Sequence, residues 1–317
     1  MIKNKTILII GGTGALGQTL TKRYFKHNKI VIFSRDEHKQ VNLSHKFKDV
    51  IFQIGDVKDK ESLLQSMNEY KPDIVINTAA LKHVPICEDN PYESVKTNII
   101  GHKNLIDCVN LSKHQIETLM FISTDKACKP INVYGMCKAI SERLYIDFAN
   151  KQNDIKVVLC RYGNVLESTG SVIPFFKNLL EKGNKELPIT DKRMTRFLIT
   201  LEESVDLIDW SFEHSDSHGK IIVPKLKSLK VTHLGKILGK SYGINNIKLN
   251  YIGIRPGEKI HEEMVSLEES LRTINYEKYF MITDNVINED AWSFASNTTI
   301  IPFEEVEKFL KQKKVIK

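Results

Sequence analysis

The chain has 317 residues, 41% hydrophobic and 27% charged, a balance that excludes disorder and suits a soluble globular enzyme of one large or two modest domains. Its net charge of +7 comes from basic residues spread along the whole length, with no clustered stripe or zinc-finger spacing, which argues against nucleic acid as a partner. Five scattered cysteines without a Cys-x-x-Cys pair, and no apolar run fit for a signal peptide or a bilayer span, point to a reduced, cytoplasmic protein without a membrane partner.

Thr6 to Ile10 is a short β-branched and aliphatic run that meets Gly11-Gly12-Thr13-Gly14-Ala15-Leu16-Gly17 and then an amphipathic segment to about His27. Strand, glycine turn and helix in that order let the backbone approach a pyrophosphate, whose charge the helix amino terminus then holds. A second strand, Ile30 to Phe33, ends in Ser34-Arg35-Asp36, where an acid would bind the ribose of NAD and an arginine the 2′-phosphate of NADP. Ser34 and Arg35, helped by Lys39, favour NADP, and Asp36 leaves NAD open.

Val50 to Ile54 reads as a third strand, followed by Gly55-Asp56-Val57 placed to cap the adenine, with a helix over Asp59 to Glu69. A fourth strand, Ile74 to Asn77, exits through Thr78-Ala79-Ala80-Leu81-Lys82-His83, small residues where backbone passes close to a cofactor. A long helical pattern starts soon after Pro91 and carries Asn98 near its beginning. The apolar run Leu119 to Ile122 is a buried strand, and Ser123-Thr124-Asp125-Lys126 is expected just beyond its carboxyl end, where open α/β sheets bind ligands.

Tyr134 and Lys138 follow at i and i+4 in a helix expected to about Phe148, which puts phenol and ammonium on one face. Alone, that spacing also describes an ordinary solvated helix face. Lys156 to Tyr162 makes a sixth strand, so the first 160 or so residues alternate strand and helix into an α/β fold with a doubly wound parallel sheet. After Gly163 the alternation breaks down. Residues 1–168 are expected to form the dinucleotide-binding domain, with 197–219 returning to it, and 169–196 with 220–317 a second, smaller α/β domain.

Only eight of the 46 basic residues are arginine. Three of them lie in the short segments Arg193 to Arg196 and Arg255 to Glu258, where a planar fork suits diphosphate or a structural ion pair. His261-Glu262-Glu263-Met264-Val265 lacks the second histidine of a zinc helix, so no metal site is expected.

The glycine turn, Thr124-Asp125-Lys126 and Tyr134-x-x-x-Lys138 together resemble the extended short-chain dehydrogenase/reductase family, with its Rossmann sheet. Ala79 to Pro85, Lys96 to Asn98, Arg161 to Val165, Thr190 to Phe197 and Arg255 to Lys259 narrow the resemblance to the inverting UDP-N-acetylglucosamine 4,6-dehydratases. That resemblance implies bound NADP, contacts from Thr13, Ala15, Asn98 and Val165 beside those above, and Tyr134 and Lys138 at the nicotinamide and ribose. It also implies UDP-N-acetylglucosamine held by Lys82, Thr124, Asn164, Arg196, Arg255 and Glu258, the smaller domain being the nucleotide-sugar-binding one, and a homo-oligomer. Lysine at 126 departs from the Asp-Glu of the glucose-specific group.

Residue types then suggest a division of labour. Tyr134, its pKa lowered by Lys138, takes the carbon-4 hydroxyl proton; neutral Lys126 removes the carbon-5 proton; protonated Asp125 helps the carbon-6 hydroxyl leave as water. Burial and the cations Lys138 and Lys82 are expected to lower the Lys126 pKa. A 4-epimerase would need the tyrosine and lysine but no acid and base for elimination, and a dinucleotide sensor would need neither.

Overall fold

The structure is a computed structural model that describes residues 2–166 and 170–317. The expected domain boundary at 168 lies outside the described residues. Strands β1 (Thr6–Ile10), β2 (Lys29–Ser34), β3 (Ile51–Ile54), β4 (Ile74–Asn77), β5 (Thr118–Thr124) and β6 (Lys156–Tyr162) lie close to the runs expected for them. Most are near-continuous apolar runs because helices cover both faces of the sheet. Between them run α1 (Ala15–Tyr24), α2 (Glu37–Ser44), α3 (Lys60–Tyr70), α4 (Val84–Asp89), α5 (Pro91–Val95), α6 (Gly101–Leu111) and α7 (Val133–Lys151).

The expected helix after Pro91 is broken by one π turn, Lys96–Ile100, which carries Asn98. Such turns are rare and concentrate at functional sites. Ser123 and Thr124, expected beyond the central strand, are its last two residues.

The remaining elements are β7 (Asn164–Val165), α8 (Val172–Glu181), β8 (Glu186–Ile189), β9 (Thr195–Ile199), α9 (Leu201–Glu213), β10 (Ile221–Pro224), β11 (Ser228–Lys230), α10 (Val231–Ser241) and β12 (Lys248–Tyr251). They are followed by β13 (Glu263–Val265), α11 (Leu267–Ser270), β14 (Thr273–Asn275), β15 (Tyr279–Ile282), β16 (Phe294–Ala295) and α12 (Phe303–Gln312).

The main sheet runs β14-β15-β10-β6-β5-β4-β1-β2-β3. Its order reverses between β1 and β4, which leaves a crevice beyond the carboxyl ends of those strands. Three strands from residues 220–317, a stretch expected in the smaller part, therefore extend the main sheet; β15 joins antiparallel to β10 and β14. Apolar clusters fill both faces of the sheet. A separate third cluster includes Leu166, Phe176, Leu187, Leu238 and Leu310.

One buried ion cluster ties the late elements to the early ones. Arg161 on β6 is 1% exposed, and its guanidinium makes paired hydrogen bonds of 2.7–2.9 Å to Glu142 on α7 and to Glu269 on α11. It also donates to the Met264 carbonyl at 2.9 Å. Truncating one partner of such a cluster leaves the others charged and dry.

Arg161→Met is expected to lower stability by about 3–5 kcal/mol, read by urea unfolding. Burial alone would raise the Glu269 carboxyl, but Arg161 outweighs it and holds the group down to about 2 against an ordinary 4.5. Because the folded pKa is depressed, this contribution is complete above about 4.5 and is lost as pH falls toward 2. Glu269→Gln should accordingly flatten the acid limb of stability against pH; an unchanged limb would contradict the assignment.

Candidate functional site

The glycine turn places α1 for a phosphate. A Cβ on Gly17 would lie 2.4 Å from Gly12 Cα, so only glycine lets the first helical turn pack so closely on the turn before it. The N-cap, Gly14, offers no side-chain acceptor to the first amides of α1, leaving them for an anion. These features fit a dinucleotide pyrophosphate.

At the far end of that groove, Arg35 Nη1 lies 3.4 Å from Asp56 Oδ2 and its side chain is exposed. Asp36, the acid that kept NAD open, accepts from the Lys39 amide at 2.9 Å as the N-cap of α2 and pairs with the Lys39 ammonium at 2.6 Å. Val57 is buried.

Asn98, an expected cofactor contact, lies on the π turn behind the loop that leaves β4. Its side chain is fully buried, takes the Leu81 amide at 2.9 Å and gives to the Leu81 carbonyl at 2.8 Å. It therefore pins the Ala79–Lys82 loop from behind. His102 supports the same loop from α6: Nε2 lies 3.1 Å from the Ala79 carbonyl and Nδ1 3.0 Å from Ser141 Oγ. Burial, assisted by Lys138, pushes this imidazole down to about 3, so it is neutral and carries its proton on Nε2 toward the carbonyl. Nothing in the sequence pattern marked it.

Thr124, Asp125, Lys126, Tyr134 and Asn164 come together at the end of β5. Asp125–Ala127 forms one 3₁₀ turn, and α7 begins hard against it: a Cβ on Gly135 would lie 2.2 Å from the Lys126 carbonyl oxygen. Asn132 caps α7 by accepting from the Gly135 amide at 2.7 Å. That contact sets Tyr134 beside the turn.

Asp125 is fully buried, and its Oδ1 accepts from Thr124 Oγ1 at 2.9 Å and Lys126 Nζ at 3.0 Å. Lys126 Nζ also donates to Asn164 Oδ1 at 3.3 Å and sits 3.4 Å from Glu262 Oε1. Asp125 Oδ2 and Glu262 Oε2 are buried without a hydrogen-bond partner among the described residues.

The electrostatics revise two expectations. Burial by itself favours a neutral Lys126, but the Asp125 and Glu262 carboxylates outweigh it and hold the group above the ordinary lysine range. The expected neighbours, Lys138 and Lys82, are not the charges that act on it most; those are Asp125, Glu262 and Arg196. Lys138 instead donates to the Ile122 carbonyl at 2.7 Å and lies 4.4 Å from the Phe121 ring centroid, and burial takes it down to about 7.

The phenol of Tyr134 is pushed up to about 12 by burial, with Lys126 the main charge pulling it down. Lys126, rather than Lys138, is thus the cation that favours its deprotonation here. Burial raises the Asp125 carboxyl, against the pull of Lys126 and with that of Glu262, as its expected role as an acid requires.

The remaining residues expected at the substrate are Lys82, Arg196, Arg255 and Glu258. Lys82 and Arg255 are exposed. Glu258 accepts from the Arg255 amide at 3.3 Å. Arg196, expected to grip diphosphate, is buried and donates to the carbonyls of Thr195, Lys259 and Ile260 at 2.7–3.1 Å, clamping the segment that carries Glu258 and Glu262. Asn132 Nδ2 donates to the Gly257 carbonyl at 2.8 Å and Lys259 Nζ to the Cys128 carbonyl at 2.7 Å, so segment 257–259 is tied to the residues that lead into α7.

No helix among the described residues is long and apolar enough to cross a membrane. The "UDP-N-acetylglucosamine 4,6-dehydratase (inverting)" of Campylobacter jejuni subsp. jejuni serotype O:23/36 (strain 81-176) is 45% identical over 295 residues, covering 90% of this chain and 85% of its own. A protein of Rickettsia akari (strain Hartford) named "UDP-glucose 4-epimerase" is 39% identical, over 98% of this chain and 96% of its own. Among solved structures, Pen from Bacillus thuringiensis superposes with a TM-score of 0.91 at 30% identity, covering 99% of both chains. The family model described as "Polysaccharide biosynthesis protein" matches residues 7–284, and the chain belongs to that family, within the extended short-chain dehydrogenases/reductases.

Proposed function

We propose that the protein is an inverting UDP-N-acetylglucosamine 4,6-dehydratase that yields UDP-2-acetamido-2,6-dideoxy-β-L-arabino-hexos-4-ulose. The observation that carries the reading is the Asp125–Lys126 pair, hydrogen-bonded at 3.0 Å and set beside Tyr134 at the end of β5. A 4-epimerase has no use for that pair, although relatives bearing that name are also similar.

A nicotinamide dinucleotide held at the glycine turn and Arg35 would supply the hydride chemistry, taking hydride from carbon 4 and giving it back at carbon 6. Tyr134 removes the carbon-4 hydroxyl proton, and the resulting ketone makes the carbon-5 proton acidic. Moving one proton along the Lys126–Asp125 hydrogen bond converts an ammonium and a carboxylate into an amine base and a carboxylic acid together. Lys126 then takes the carbon-5 proton while Asp125 protonates the departing carbon-6 hydroxyl, and as hydride reaches carbon 6 a solvent-derived proton is added to carbon 5 on the opposite face.

In this reading the smaller part, 169–196 with segments of 220–317, holds the nucleotide sugar, with Lys82, Asn164, Arg196, Arg255 and Glu258 lining it and Thr124 reaching it from β5. NADP is the proposed cofactor, because Asp36 is committed to capping α2 while Arg35 is exposed at the groove. Met136 and Ile140 on α7, one turn apart and each 47% exposed, supply apolar surface for the proposed homo-oligomer.

Incubation with UDP-N-acetylglucosamine should give loss of one water by mass spectrometry; an isobaric product would favour the epimerase. In heavy water, NMR should place one deuterium at carbon 5 of the L-arabino product. Tyr134→Phe should block carbon-4 oxidation, whereas Asp125→Asn should oxidise and stall, showing transient reduced-nicotinamide absorbance. Equal silence in both variants would refute this division of labour.

Nucleotide released on denaturing the purified protein should be chiefly NADP, and chiefly NAD would overturn the role of Arg35. Light scattering should return a mass above that of one chain, and a monomer at working concentration would refute the oligomer.

A further inference from the structure

The incomplete zinc pattern contains a residue the mechanism has not used. Glu262 is 2% exposed, and its Oε1 stands 3.4 Å from Lys126 Nζ and 3.8 Å from Arg196 Nε. One carboxylate oxygen is thus shared by two cations, Arg196 buried and Lys126 half-buried, that would otherwise face each other. We propose that Glu262 is a positioning residue of this site, holding Lys126 beside Asp125 and keeping the pair supplied with a single shared proton.

The surrounding chain is built to hold this carboxylate still. The Glu262 amide donates to Ser296 Oγ at 2.9 Å, and the Ser296 amide returns a bond to the Glu262 carbonyl at 2.7 Å. Ser296 Oγ lies 2.7 Å from Thr195 Oγ1, which also meets His261 Nδ1 at 2.8 Å. Ser296, directly after β16, therefore reaches back across the chain to fix a side chain at the site.

The charged groups facing Glu262 are Lys126 from the 3₁₀ turn, Arg196 from β9, Lys259 from its own segment and Asp125. Burial opposes its charge, yet the three cations hold the carboxyl below its ordinary range. Glu262 therefore remains an anion, and it favours proton retention by both Asp125 and Lys126. Without it, a half-buried ammonium and a buried guanidinium are left in repulsion, and Lys126 has reason to leave Asp125.

This inference rests on the dehydratase reading, and its test separates the two. Glu262→Gln should retain carbon-4 oxidation but slow carbon-5 exchange with heavy water by at least about tenfold. It should also move the acid limb of kcat to lower pH, since loss of the anion makes Asp125 easier to deprotonate. Glu262→Asp should restore that limb. A general folding defect would instead depress oxidation and exchange together without moving the limb.

An active wild type with a Glu262→Gln enzyme of unchanged exchange and pH limbs overturns the inference. A wild type that releases no water sinks the functional reading instead. Lysine 13Cε NMR of the ligand-free protein, with Lys126 assigned through Lys126→Met, then decides the role of Glu262. In Glu262→Gln the Lys126 ammonium should begin to lose its proton at lower pH, and an unmoved titration overturns the inference.

Discussion

An ammonium taken out of water needs compensating charge close by, and the site is arranged around meeting that need for Lys126. Its Nζ has Asp125 at 3.0 Å, Asn164 at 3.3 Å and Glu262 at 3.4 Å. Asp125 shares the turn with Lys126, whereas the other two come from a short strand and a late segment, so one cation ties its own turn to two remote pieces of the chain. Burying such a group without them would cost several kcal/mol. The same arrangement leaves two carboxylate oxygens, Asp125 Oδ2 and Glu262 Oε2, buried and without a hydrogen-bond partner among the described residues. Unsatisfied buried acceptors are expensive, and they are retained where chemistry has a use for them.

Support for this cluster is layered outward. Gly135 lets α7 start against the Lys126 carbonyl, and Asn132 both caps that helix and holds the Gly257 carbonyl. Farther back, Arg161 joins β6 to α7 and α11 through Glu142 and Glu269. The rigid scaffold is therefore continuous from the parallel sheet to the residues after β13. A reacting sugar needs that continuity, because proton transfer depends on donor and acceptor positions within a fraction of an ångström.

Much of the fold is legible in the order of residues alone. The apolar runs that become β1, β4 and β6 have the bounds expected of them, since a strand covered on both faces must be apolar throughout. The helix carrying Tyr134 and Lys138 is legible from its spacing. Less legible are β10, β14 and β15, short strands whose place in the main sheet depends on pairing between distant residues. The π turn at Lys96–Ile100 is hidden as well, because its pattern reads as an ordinary helix.

The sequence by itself determined the class of fold, the glycine turn and the acid–base types at Asp125, Lys126 and Tyr134, because these depend on local spacing and residue chemistry. Only the tertiary structure decided the charges those groups feel. Lys138 was expected beside the phenol and Lys82 beside Lys126, yet Lys138 turns to the Ile122 carbonyl and Glu262, 136 positions later in the chain, supplies the neighbouring charge. The hold of Asn98 on the Leu81 backbone is likewise a tertiary contact. A pKa is set by whatever lies within a few ångströms in space, and sequence order carries no record of which distant carboxylate that will be.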